Sequence, residues 1–275
     1  MQFGLHTLLV RYSNVITDIM LAAEAGYDSV ELHTDKLDRF LASGLTTAEI
    51  NAALERHKIR ATCIGIIGDA ETQNAKKLDQ VLRKTELLSR TAQEIGCGVI
   101  QVNGFTELAD RSESENIRLT AKNIRKICEI GAQYGITFQY EGAAWTPIHS
   151  LRQCVDLINE VAMDNFGVVL DYWHLWASRE TTPDDVSRLN RNLIVSVHIT
   201  DGFRPEEGEP WPDETLLRDA LPGDGEVPCR EWTDAVRATG FDGSYSPELL
   251  GKTLWEANLR DIAAEGLSRM KALFA

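Results

Sequence analysis

Residues 98–141, GVIQVNGFTELADRSESENIRLTAKNIRKICEIGAQYGITFQYE, decide the fold. The segment opens on GVIQVN from Gly98 and closes on ITFQYE from Ile136, two short runs rich in β-branched and aromatic residues that read as strands. Between them Ile117, Ala121, Ile124, Ile127 and Cys128 recur at three- and four-residue spacing, the period of a helix with one apolar face. Gly135 stands just ahead of the second strand, where a glycine takes the left-handed turn that closes a helix. The segment is therefore a strand, a crossover helix and the next strand.

The same pattern extends in both directions. Strand candidates are QFGLHT from Gln2, SVELH from Ser29, IRATCIG from Ile59, GVVLDY from Gly167, LIVSVHI from Leu193 and GSYSPEL from Gly243, making eight in all. Helical spacing recurs at Val15, Ile19, Ala22 and Ala23, again from Leu78 to Ile95, and last from Leu254 to Met270; Gly26, Gly96 and Gly240 repeat the stop signal. Eight units of about 34 residues in a chain of 275 match the size of a single (βα)8 TIM barrel over residues 1–275. A doubly wound sheet is the weaker reading, because no GxGxxG follows the first strand. One stretch breaks the rhythm. Asp201 to Pro228 is rich in proline and glycine and follows the seventh strand, on the face where barrel active sites are built, so it reads as an extended lid or substrate loop.

Composition narrows the function. With 28 Lys+Arg against 42 Asp+Glu the formal charge is −14, which repels polyanions and argues against nucleic-acid binding. No apolar run approaches the ~18–20 residues of a membrane span, and from Gln2 the chain already reads as a strand instead of a leader. The cysteines at 63, 97, 128, 154 and 229 are odd in number and include no CxxC pair, so they read as small buried hydrophobes in a reducing compartment. A cytoplasmic globular protein is the expectation, and a homodimer is compatible with a barrel of this size.

The chemistry lies at the strand ends. The fifth strand ends in Glu141, the sixth in Asp171, the seventh in His198 and the eighth in Glu248, each after an apolar run. Four consecutive strands thus deliver three carboxylates and one imidazole to one rim. Carboxylates gathered there unpaired would repel one another and lose hydration at a cost of several kcal/mol, unless a cation neutralises them. The oxygen-rich set suits one divalent ion, with Mn²⁺ the leading expectation and Mg²⁺, Co²⁺ and Zn²⁺ also compatible.

On these residues the chain resembles the xylose-isomerase-like TIM-barrel superfamily of sugar isomerases and epimerases, most closely its inosose isomerase and D-tagatose/D-psicose 3-epimerase branches. The resemblance spans essentially the whole chain, from the opening LHT and the GYDSVEL of the second unit to the turn in LPGDGEVP. It implies Glu141, Asp171, His198 and Glu248 as metal ligands, with Glu141 and Glu248 also the catalytic proton carriers on opposite sides of the substrate. It further implies that His174, three residues after Asp171, and Arg204, six after His198, bind substrate. The implied reaction is removal of a proton α to the carbonyl of a ketose, inosose or related keto-sugar, through a metal-stabilised enediolate. A dehydratase acting on 3-dehydroshikimate or an inosose begins with the same proton removal and is the alternative. An abasic-site endonuclease shares the barrel, but its trinuclear zinc cluster needs additional histidines, and of the six present only four lie at or near a strand end, in a chain with an excess of acid. A non-catalytic sugar- or metal-sensing module is a further alternative that the intact ligand set disfavours.

Other polar strand ends are weaker candidates. His6 could line the mouth or pack in the barrel floor, and Glu31 and His33 could touch substrate. Asn103 and Gln101 offer neutral groups suited to sugar hydroxyls. Of Trp145, Trp173, Trp176 and Trp211, one or two are expected at the mouth. Asp201 reads as an organiser of the long loop, and His57 and His149 as surface residues on helices.

Overall fold

A computed structural model describes residues 1–275. Eight strands, β1 (Gln2–His6), β2 (Ser29–His33), β3 (Arg60–Ile67), β4 (Val99–Val102), β5 (Thr137–Tyr140), β6 (Phe166–Asp171), β7 (Ile194–His198) and β8 (Ser244–Ser246), pair in sequence order and close on themselves, β8 against β1. Every pairing is parallel, so all eight C-terminal ends open on one face. Each sequence-read strand is present. The glycine stops act as expected: Gly26 at φ 87° ends the helix Val15–Ala25, and its N–H donates to the Ala22 carbonyl.

The apolar residues of strands and helices merge into one core of 65 buried side chains, and all five cysteines are buried and free. Inside the barrel the filling turns polar toward the mouth. Ser196 Oγ donates to Gln139 Oε1 (2.7 Å), Gln139 Nε2 to Gln101 Oε1 (3.1 Å), and Gln101 Nε2 to Glu141 Oε2 (3.0 Å). This chain of neutral groups satisfies the buried polar atoms in turn and ends on a carboxylate that it orients.

Two devices hold the mouth loops. The buried Lys36 ammonium donates to the Thr7 and Val10 carbonyls (2.9 and 2.8 Å) and to both oxygens of buried Asp18 (2.9 and 3.0 Å), pinning the loop after β1. Asp201 is wholly buried and organises the loop after β7: Oδ1 accepts from Gly202 N (2.7 Å) and Val227 N (3.0 Å), and Oδ2 from Gly223 N (2.8 Å) and Gly225 N (3.1 Å). Gly225 has to be glycine, because a Cβ there would lie 2.3 Å from Asp201 Oδ1. The stretch read as irregular also contains a short helix, Glu214–Leu217. His149 departs from expectation: it precedes the helix Leu151–Val161, half-buried, with Nδ1 2.6 Å from the Thr146 carbonyl.

Candidate metal centre and active site

Strand alternation aims the last inward-facing residue of a parallel strand at the barrel mouth. Asp171 and His198 close β6 and β7 in register with each other, while Glu141 follows β5 by one residue and Glu248 follows β8 by two. All four are buried, and one ligand atom from each lies within 4.8 Å of the others. His198 Nδ1 is 3.2 Å from Glu141 Oε1, 3.1 Å from Glu248 Oε2 and 4.0 Å from Asp171 Oδ2. Its other nitrogen, Nε2, faces Glu31 Oε1 at 3.2 Å, and Glu31 Oε2 accepts from Ser246 Oγ at 2.7 Å.

The remaining lone pairs are committed. Asp171 Oδ1 accepts from Thr200 Oγ1 and from His174 N, both at 2.8 Å. Glu141 Oε2 accepts from Gln101 Nε2 and Asn103 Nδ2, both at 3.0 Å. Arg218, 1% exposed, reaches in from the long loop; its Nη2 donates to Asp171 Oδ2 (3.0 Å), to Glu248 Oε2 (3.1 Å) and to the Glu248 carbonyl (2.8 Å).

These surroundings drive the charges apart. Burial, with the charge of Glu248 beside it, pushes Glu141 up to about 8. Burial also acts to raise Glu248, but the charges of His198, His6 and Arg218 outweigh it and hold that carboxyl well below its ordinary range. Burial works against a charged His198, yet Glu31 and Glu248 raise it well above the usual imidazole value. Glu31 is held at about 2, because His198 and His6 overcome the burial that favours its neutral form. A proton shared among His198 and three carboxylates is one way to relieve such a cluster; a dication is the other, and it requires the Nδ1 lone pair and three carboxylate oxygens to converge, as they do here. The donor set fits a divalent ion.

Above the cluster is an open cavity of about 510 Å³. Glu141, Glu248, His174 and Asn103 lie on its wall, as anticipated, and so does His33. Burial depresses His174 to about 4, so the ring is neutral, and its Nδ1 lies 3.2 Å from Ala144 N. Asn103 Oδ1 is buried without a partner, an acceptor free for a ligand hydroxyl.

Two expected substrate contacts are placed elsewhere. Arg204 lies 4.2 Å over the Trp176 ring and donates to the Trp176 carbonyl (3.3 Å), off the cavity wall; cation–π attraction and that hydrogen bond hold it there, and Arg218 is on the wall. His6 is behind the wall: its Nδ1 accepts from Leu8 N (3.3 Å), which leaves the proton on Nε2, 3.5 Å from Glu248 Oε1. Of the four tryptophans weighed, Trp145 lines the cavity, while Trp173 is fully buried in the core. Sequence reasoning missed Arg218 and Trp255 on the wall and the role of Glu31 beneath His198. Glu31 carried a signal, a carboxylate inside an apolar strand; Arg218 carried none, being far along an aperiodic loop.

A family model described as xylose isomerase-like TIM barrel matches residues 19–273. The chain belongs to that family. Among its relatives, the inosose isomerase of Bacillus velezensis is 24% identical over 247 residues, covering 86% of this chain and 84% of that protein. The 3-dehydroshikimate dehydratase of Pseudomonas putida is 25% identical over 255 residues, covering 89% of this chain but 37% of its own length. In fold, a crystal structure of IOLI protein with a binding zinc atom superposes with a TM-score of 0.91 at 17% identity, covering 99% of this chain and 98% of that one. The family's named relatives here are isomerases, epimerases and dehydratases, and this chain has a buried His/Glu/Asp cluster of the composition that holds a divalent ion. No helix is long and apolar enough to cross a membrane.

Proposed function

We propose that this chain is a metal-dependent isomerase or epimerase of a ketose, inosose or related keto-sugar, and that Glu141, Asp171, His198 and Glu248 hold one divalent ion, Mn²⁺ foremost. The observation that carries the reading is the convergence of three carboxylates on His198 Nδ1, within 4.8 Å, at the floor of an open cavity. A divalent ion bound there supplies Lewis-acid polarisation of the carbonyl next to the carbon that gives up its proton.

The chain's own residues do the rest. Glu248, ionised under the influence of His198, His6 and Arg218, takes the α-proton at Oε1, the oxygen facing His6 Nε2. Glu141, held from its other oxygen by Gln101 and Asn103, is the second carboxyl placed to exchange a proton with the substrate. Return to the opposite face of the same carbon gives an epimer; return to the neighbouring carbon gives an isomer. His174 and Asn103 hold substrate oxygens from the wall. The polar floor beneath apolar walls of Leu8, Ile66, Phe105, Trp145 and Trp255 suits a compact polyhydroxy ring or chain.

The test is D₂O wash-in with Mn²⁺ over a panel of ketoses and inososes, read by mass. Deuterium gained without other mass change supports the reading, loss of water assigns the dehydratase chemistry of the alternative, and absence of exchange across the panel overturns it.

A further inference from the structure

Both arginines on the cavity wall already face carboxylates, although Arg218 Nε is buried without a partner. Arg218 is bound by Asp171 and Glu248, and its Nη1 lies 3.2 Å from Glu214 Oε2. Lys252, beside the wall residue Trp255, donates to Asp213 Oδ2 (3.0 Å). At the rim, Arg11 is a third exposed, and its Nη2 donates to Asp35 Oδ2 (3.3 Å). The wall histidines add no charge, since Nδ1 of His33 accepts from Asp35 N (3.3 Å) and Nδ1 of His174 from Ala144 N (3.2 Å), so neither ring carries a second proton.

Against the guanidinium groups of Arg11 and Arg218 stand the carboxyls of Asp35, Glu141, Asp171, Glu214 and Glu248. Burial pushes Glu214 up to about 7, yet even with it protonated a loaded dication leaves no surplus positive charge. An anionic substituent entering this cavity would give up hydration without gaining an unshared cation.

We infer that the substrate carries neither phosphate nor carboxylate, and that Asp35 enforces this at the rim by occupying Arg11; the inference rests on the proposed keto-sugar chemistry. Asp35 is thus a specificity-determining residue. It sits in the first turn of the helix Thr34–Ala42, so its carboxylate is anchored from β2 while Arg11 extends from the loop after β1. Two independent elements meet to close the charge, and Asp35 Oδ2 also lies 3.6 Å from His33 Nδ1 on the wall.

The experiment compares D₂O wash-in for 2-inosose, D-fructose, D-fructose 6-phosphate and 3-dehydroshikimate, with Mn²⁺ present. Exchange of a neutral ketone at least ~100-fold faster than either anion is the expected result. An anion exchanging as fast as the neutral ketones overturns the inference and leaves the proposed chemistry standing; silence from all four overturns both. In a second arm, Asp35→Asn frees Arg11. The ratio of Ki for D-fructose 6-phosphate to KM of the faster neutral ketone should fall about fivefold, the effect of one near-surface charge contact, and return when Arg11→Gln is added. A ratio unmoved by Asp35→Asn overturns the role of Asp35.

Discussion

Glu31 carries the sharpest prediction about the metal centre. His198 offers Nδ1 to the ligand cluster only if its proton stays on Nε2, and the acceptor that keeps it there is Glu31 Oε1 at 3.2 Å. The carboxylate is itself fixed by Ser246 Oγ at 2.7 Å, so it cannot turn away. In Glu31→Gln the amide oxygen still accepts from Nε2–H, and the amide N–H₂ turns to the serine oxygen; volume and tautomer survive, and the charge that makes the imidazole more basic is lost. Partners of this kind are worth 10- to 100-fold in metal affinity, or about 1.4–2.8 kcal/mol. In Glu31→Leu the buried Nε2–H has no acceptor, a penalty of about 1–3 kcal/mol that drives the proton to Nδ1 and blocks the ligand lone pair. The expected order of Mn²⁺ or Zn²⁺ affinity is therefore wild type, then Gln about 10-fold weaker, then Leu at least ~100-fold weaker. Competition against a chromophoric chelator measures it, with circular dichroism reporting the fold. A folded Glu31→Leu protein that binds metal as the wild type does would refute the reasoning.

Further outcomes concern charge and packing. Glu141→Gln and Glu248→Gln keep the shape of the side chain but cannot carry the proton, so each should lower deuterium exchange by about 10²–10⁴-fold with the melting transition intact. Metal affinity should weaken as pH falls: Glu141, raised to about 8, and His198, raised well above the usual imidazole value, must each lose a proton to become ligands, so between pH 8 and 6 the apparent Kd should rise more than tenfold per unit. Calorimetry in buffers of different ionisation enthalpy would detect the released protons, and a pH-independent Kd would contradict the assignment. Lys36→Met strands the buried Asp18 charge and should cost about 3–5 kcal/mol in urea unfolding, with Lys36→Met/Asp18→Leu recovering most of it. Asp201→Ala removes four buried acceptor contacts and should open the loop of residues 203–226 to protease while destabilising the chain by on the order of 3 kcal/mol.

The long loop shows why one arginine was foreseen and a different one is at the site. Spacing from His198 singled out Arg204, but the chain runs on past it, and the backbone N–H groups that Asp201 gathers bend the loop back over the mouth. That turn carries Arg218 down to Asp171 and Glu248, while Arg204 settles on Trp176. No periodicity records such a path.

The amino-acid order by itself determined the closed cylinder and the residues at its strand ends, because two-residue and 3.6-residue periods are written locally and each strand end is one step from its glycine-punctuated neighbour. Glu141, Asp171, His198 and Glu248 could be named for that reason. Tertiary structure alone decided how charge is balanced around them: that Glu31 lies beneath His198, that His6 faces Glu248 from behind the wall, and that Asp35 meets Arg11 at the rim. Each of those pairs joins residues from different units of the barrel, and the distance between them is set by how eight strands close, a property of the whole sheet and of no segment within it.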